Sequence, residues 1–225
     1  MIPDLSPLEA RVLGVLVEKE RTVPDTYPLS LNALTLGCNQ KNNRDPLMQA
    51  TEAEAQAAVD ALRPLSLVIE SSGSRVMRYA HNLGRVLRLP DPAVALIAAL
   101  MLRGPQTPGE LRIATERLHR FADLGEVEAA LHELAERAGA DAGPLVVQLA
   151  RVPGAREQRW AHLLSGRVEV ESRPPPVATA GKSTVPDATA ADIAMLKAEV
   201  ARLAAETAEL RAIVERLARN LAAPR

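Results

Sequence analysis

Apolar residues recur at helical spacing along much of the chain, interrupted by short alternating runs. Leu8, Val12, Leu13, Val15 and Leu16 form the first stripe, opened by Ser6-Pro7-Leu8-Glu9, a capping box with proline at the first helical position. This predicts a helix ending near Lys19. Tyr27-Pro28-Leu29-Ser30 is read as the start of a second helix, with Leu31, Leu34 and Leu36 leading to Cys38. Thr51-Glu52-Ala53-Glu54 is another capping box and opens a third, with Val59, Leu62 and Leu65 inward and Pro64 at its end. Residues 67–70 and 75–79 alternate about Ser71-Ser72-Gly73-Ser74 and read as strand, turn, strand.

The order then recurs. Asp91-Pro92 opens a helix running to Arg103, and Thr107-Pro108-Gly109-Glu110 caps one through Leu111, Ile113 and Leu118. A helix is expected over 125–138, with Val127, Leu131 and Leu134 inward. Residues 145–150 and 158–163 form a second hairpin about Val152-Pro153-Gly154-Ala155. Three helices followed by a hairpin is the order of a winged helix. The expected fold is therefore mainly α with small β-hairpins: two tandem winged-helix (helix-turn-helix-like) domains, at 1–83 and 84–172.

Beyond them the pattern changes twice. Residues 173–189, with Pro174-Pro175-Pro176 and then Gly, Ser, Thr and Ala, cannot bury a core and read as a disordered linker. Within 190–223, Ile193, Leu196, Val200, Leu203, Thr207, Leu210, Val214, Leu217 and Leu221 are spaced alternately three and four apart. That is a heptad seam with mostly β-branched a positions and Leu at d, the preference of a parallel two-stranded coiled coil. Ile193, Leu196, Val200, Leu203, Leu210, Val214, Leu217 and Leu221 are accordingly the expected dimerisation residues. A lone amphipathic helix packing on its own chain is the alternative.

Composition adds exclusions. With 27 basic and 28 acidic residues, overall charge does not indicate a strongly basic nucleic-acid binder. Cys38 is the only cysteine, so no intrachain disulfide is possible. The N-terminus carries no signal-peptide pattern and no apolar run is long enough to span a bilayer, so a cytoplasmic chain without membrane contact is expected. His81, His119, His132 and His162 lie in different elements without metal-ligand spacing, and no phosphate loop or nucleophile motif occurs. No catalytic, cofactor-binding or metal residue is assigned, and a non-enzymatic protein is expected. Cys38, ending an apolar helix, reads as a small buried hydrophobe.

The candidate chemistry is the polar segment Asn39-Gln40-Lys41-Asn42-Asn43-Arg44-Asp45-Pro46, a dense set of donors and acceptors between two helices. It can contact nucleic acid, grip a partner, or close a capped turn. The third helices are unpromising readers. Helix 51–64 offers Glu52, Glu54 and Asp60 against Arg63, and helix 125–138 offers Glu126, Glu128, Glu133 and Glu136 against Arg137, where phosphates want cations. The expected contact residues are therefore Asn39, Gln40, Lys41, Asn43 and Arg44 in the segment, Arg75 and Arg78 in the first hairpin, and Arg151, Arg156 and Arg159 about the second. An ordinary solvated hairpin is the alternative for the arginines. The expected partners are DNA and a second copy of the chain. A protein-interaction scaffold of the same architecture is the competing function.

The stretches Leu5 to Leu13, Tyr27 to Ser30, Cys38 to Lys41, Asn43 to Pro46, Arg103 to Arg112 and Leu149 to Gly154 resemble the YceH-like family of bacterial proteins, over about residues 5–166. The resemblance implies tandem winged helices with a coil-like tail, presumed on fold grounds to bind DNA. It implies no catalytic residue and no ligand.

Overall fold

The computed structural model describes residues 3–71, 76–137, 143–151, 154 and 156–166. The expected linker and heptad seam, residues 72–75 with Arg75, and Val152, Pro153 and Ala155 of the second turn lie outside the described residues.

The chain begins with α1 (Pro7–Thr22). Ser6 Oγ accepts from the Glu9 amide and the Glu9 carboxylate accepts from the Ser6 amide, so the expected capping box is formed. A 3₁₀ turn at Pro24–Thr26 leads to β1 (Leu29–Ser30) and α2 (Leu31–Cys38). The second helix thus begins later than its leading Tyr-Pro suggests. Ser30 is its cap, with its hydroxyl accepting from the Ala33 amide, and Leu29 is spent on a strand instead. Next come α3 (Glu52–Leu62), β2 (Val68–Ser71) and β3 (Arg78–His81). The sheet is antiparallel in the order β1-β3-β2, pairing Leu29 with Tyr79 and Val68 with His81.

After the short α4 (Leu83–Leu87), the second half comprises α5 (Asp91–Arg103), α6 (Pro108–Thr115), α7 (Leu124–Ala135), β4 (Val146–Gln148) and β5 (Trp160–His162). Gln106 and Trp160 exchange both backbone hydrogen bonds, 3.0 and 2.7 Å. The residue preceding the Thr107 cap of α6 therefore pairs with the last strand, as β1 pairs with β3 in the first half. The repetition seen in sequence as helix order extends to strand pairing.

Two differences from the expected elements have local causes. The α6 helix stops at Thr115, whose buried hydroxyl bonds back to the Leu111 carbonyl at 2.8 Å. The chain then turns so that Phe121 is buried, and Ile113 is left 75% exposed rather than inward. The α7 helix starts at Leu124 because the Asp123 carboxylate accepts from the Glu126 amide.

The core is one cluster running through both halves. Residues 10–17 of α1 and 93–102 of α5 are buried all round. A helix apolar on every face must be covered on every face, and here α1 packs against α2, α3 and α5. Gly14 marks a close approach of α1 to α5: a methyl group there would stand 2.9 Å from Leu102 Cγ. Each fully buried leucine, such as Leu13, Leu16, Leu96 and Leu100, contributes about 1.5–3 kcal/mol. The first and second halves thus share a core instead of hanging on a linker.

Candidate functional site

The polar segment leaves α2 at Asn39. The Asn39 side chain closes it as a strand would: Nδ2 donates to the Ala50 carbonyl at 2.7 Å and Oδ1 accepts from the Ala50 amide at 2.8 Å. One residue pins both ends of the loop just before the Thr51 cap of α3. Asn39 is therefore committed to the backbone.

Arg44 turns inward, and the expected contact role is corrected. Its side chain is fully buried, and all five of its N–H groups are used. Nε donates to the Gly37 carbonyl, Nη1 to Glu18 Oε1 and the Asn43 carbonyl, and Nη2 to Glu18 Oε2 at 2.6 Å and Gln40 Oε1. Arg11 of α1, 1% exposed, adds Nη1 to the Cys38 carbonyl at 3.2 Å and Nη2 to the Pro46 carbonyl at 2.7 Å. Gly37 and Cys38 carry carbonyls left open at the end of α2, where the helix dipole favours a cation. Two guanidiniums thus serve as a C-terminal cap delivered from the interior. Burial alone would raise the Glu18 carboxyl, but the bonds and charge of Arg44 outweigh it and hold Glu18 below its ordinary value.

Burial also raises the Cys38 thiol to about 11, against the pull of Arg11 and Arg44. With Cys38 0% exposed, a thiol reagent such as dithiobis(nitrobenzoate) at pH 8 is expected to label the chain only after denaturation. Rapid labelling of the folded protein would contradict this.

Other expected contacts are also tied down. Arg78 Nη1 donates to the Thr26 and Pro28 carbonyls, holding β3 to the turn before β1. Arg159 spans from the Pro105 carbonyl to Glu110, bracing the second hairpin against α6. Both are struts, not free cations. Arg151 and Arg156 are exposed.

Besides Asp45 and Pro46, the segment exposes Gln40, Lys41, Asn42 and Asn43, the last in the left-handed region at φ 59 that asparagine tolerates. These four form one wall of a groove of about 400 Å³, with Lys19 beside them. The other wall comes from the second half: Arg103 ends α5, and Ile113, Arg117 and Leu118 follow on and after α6. An adjoining depression shares Ile113 and adds Arg112 and Arg120. Glu18, already engaged, and Glu116 are the acids here. Burial lowers the Arg103 pKa, with Glu18 opposing and Arg44 reinforcing the shift. Sequence reading missed Lys19, Arg103 and Arg117 as neighbours of Lys41, because nothing local announces a contact between α5 and a loop some sixty residues earlier.

The third helices show the outward chemistry expected of them. On α3 the exposed charges are Glu52, Glu54 and Asp60; on α7 they are Glu126, Glu128 and Glu133. Among the described residues, no three His, Cys, Asp or Glu side chains gather as a metal site would, and no helix is long and apolar enough to cross a membrane.

The architecture is that of a mainly helical protein with small antiparallel sheets. The family model described as a protein of unknown function, DUF480, matches residues 5–155. A UPF0502 protein of Leptothrix cholodnii is 56% identical over 223 residues, 98% of this chain and 97% of that protein. UPF0502 proteins of Burkholderia ambifaria and Burkholderia multivorans are 55% and 56% identical over 218 residues, 97% of this chain and 89% of theirs. The chain belongs to this DUF480, or UPF0502, family of bacterial proteins.

Proposed function

We propose that the chain is a non-enzymatic, cytoplasmic protein of two winged-helix domains, 1–83 and 84–172, that binds nucleic acid through the groove joining them. The observation that carries this reading is the convergence of Lys41 with Arg103 and Arg117 from the other half in one groove. Strand order supports the fold assignment: in each half the segment before the second helix pairs with the last strand. Spaced cations on a concave surface suit phosphates, while Asn42, Asn43 and the Gln40 amide nitrogen between them offer donors and acceptors for base edges, the Gln40 Oε1 being held by Arg44 and Lys19. The acidic outer faces of α3 and α7 argue against the usual entry of the third helix into the major groove. Pairing of two chains through Ile193, Leu196, Val200 and the leucines that follow would present the groove twice, which suits a regulator reading a two-fold site.

Polarisation of a labelled random duplex, titrated with salt, tests the reading. Binding is expected at low salt with a steep salt slope. The triple variant Lys41→Ala, Arg103→Ala, Arg117→Ala is expected to weaken it at least about tenfold and to flatten the slope by about 3. Arg151→Ala with Arg156→Ala should leave the groove contribution intact. No binding of the wild-type chain even at low salt would sink the proposal. The acidic faces of α3 and α7 would then favour the second reading, a scaffold docking a basic protein partner.

A further inference from the structure

Arg11 of α1 and Arg44 are both buried beneath the 39–46 loop, yet only one is saturated. Arg44 has a carboxylate and five accepted N–H groups, as described above. Arg11 forms no ion pair among the described residues; Nη1 and Nη2 each make one bond to a backbone carbonyl, and Nε has no partner. A buried cation in that condition is costly unless something meets it. Burial and the neighbouring Arg44 both push its pKa down, and the pulls of Cys38 and Asp45 offset them only in part.

Arg11 lines a cavity of about 210 Å³ between α1, residues 45–48, the end of α5 and β5. The wall is otherwise largely apolar, from Pro7, Ala10, Met48, Leu100 and Met101. His162 lines it too, and its Nδ1 is buried without a hydrogen-bond partner. Burial lowers that imidazole to about 4, so it is neutral at pH 7 and Nδ1 can carry the proton. Asp45 is exposed at the lining, where solvent screens its charge. An apolar cavity of about 150 Å³ holds a benzene-sized molecule, so this one has room for a short chain and its head group.

We propose that this cavity binds a small carboxylate with a short apolar body, the carboxylate accepting from Arg11 and His162 and the body lying against Met48, Leu100 and Met101. The site explains why Arg11 lacks a protein counter-ion while Arg44 has one. It does not rest on the nucleic-acid reading. Pro46 links the two sites physically, since its carbonyl is held by Arg11 and its segment carries Lys41 to the groove.

Titration calorimetry of the full chain with hexanoate and with hexanamide tests the site. Hexanoate is expected to bind saturably and hexanamide at least about tenfold more weakly, the discrimination of a charge-assisted bond to a buried cation. Arg11→Gln should remove the preference. That variant can also disturb the loop, so Ser165→Trp, at an exposed lining position, serves as the independent arm and should block the cavity with Arg11 untouched. Equal affinity for the two probes, no saturable binding of hexanoate, or unchanged hexanoate binding in Ser165→Trp would each overturn the proposal.

Discussion

Glu18→Gln is expected to destabilise the folded chain by about 3 kcal/mol, read as a lower urea midpoint at unchanged slope. The guanidinium of Arg44 has no exposed surface, while Glu18 keeps 16% of its own. Removing the charge therefore strands a cation in the interior rather than deleting a surface pair, and surface pairs are worth little. The estimate sits at the lower end of the range for broken buried pairs, because Glu18 is not fully dry and glutamine still offers one acceptor. Glu116→Gln, at an exposed position, is the control and should change stability by less than about 0.5 kcal/mol. The double variant Glu18→Met, Arg44→Met separates the pair from its burial: it should be clearly less damaging than the two single losses added together. Additivity would mean that the two side chains act independently.

The same pair sets a pH dependence. The folded pKa of Glu18 lies below its ordinary value of 4.5. Its contribution is therefore complete above that value and is lost as pH falls through the lower folded pKa, where the unfolded chain already holds the proton. Wild-type stability should fall across this acid range more steeply than that of Glu18→Gln. Parallel curves for the two proteins would remove Glu18 from the account.

Local chemistry made the helices readable. The capping boxes at Ser6, Thr51 and Thr107 all form, because each needs only residues three apart. Strand positions such as Val68 and Trp160 followed from alternation next to turn residues. What failed to show were facts made by distant packing. Leu29 is a strand residue because Tyr79 reaches it across the fold, although Leu29-Ser30 reads as a helix start. Arg44 and Lys41 look alike in a polar run, yet Glu18 draws one inward and leaves the other at the surface. Composition within a segment reports its donors; it does not report which are already engaged. The groove shows the reverse case, in which Arg103 and Arg117 come beside Lys41 only when α1 and α5 pack together.

Gly37→Ala is expected to destabilise the chain by about 1–2 kcal/mol, against the direction that helix propensity alone predicts. Alanine in a helix interior is favoured over glycine by about 1 kcal/mol. At this position, however, the added methyl would stand 2.5 Å from Val15 Cγ1, well inside contact distance. Val15 is 0% exposed and β-branched, with essentially one rotamer available in a helix, so it cannot swing clear. Overpacking of this kind costs about 1–3 kcal/mol and can outweigh the propensity gain. Val15→Ala should relieve it: although it leaves a cavity by itself, the double variant should be more stable than the sum of the singles by at least about 1 kcal/mol. A neutral or stabilising Gly37→Ala would mean that α1 and α2 part easily at this point. The consequence reaches the candidate interface, because the carbonyl of Gly37 accepts from Arg44 and that of Cys38 from Arg11. Displacing the end of α2 moves the acceptors that hold the loop and, with it, Lys41. Gly37→Ala should therefore weaken nucleic-acid binding as well as stability, and Val15→Ala should restore both together. Recovery of stability without recovery of binding would show that the loop is positioned by something other than the end of α2.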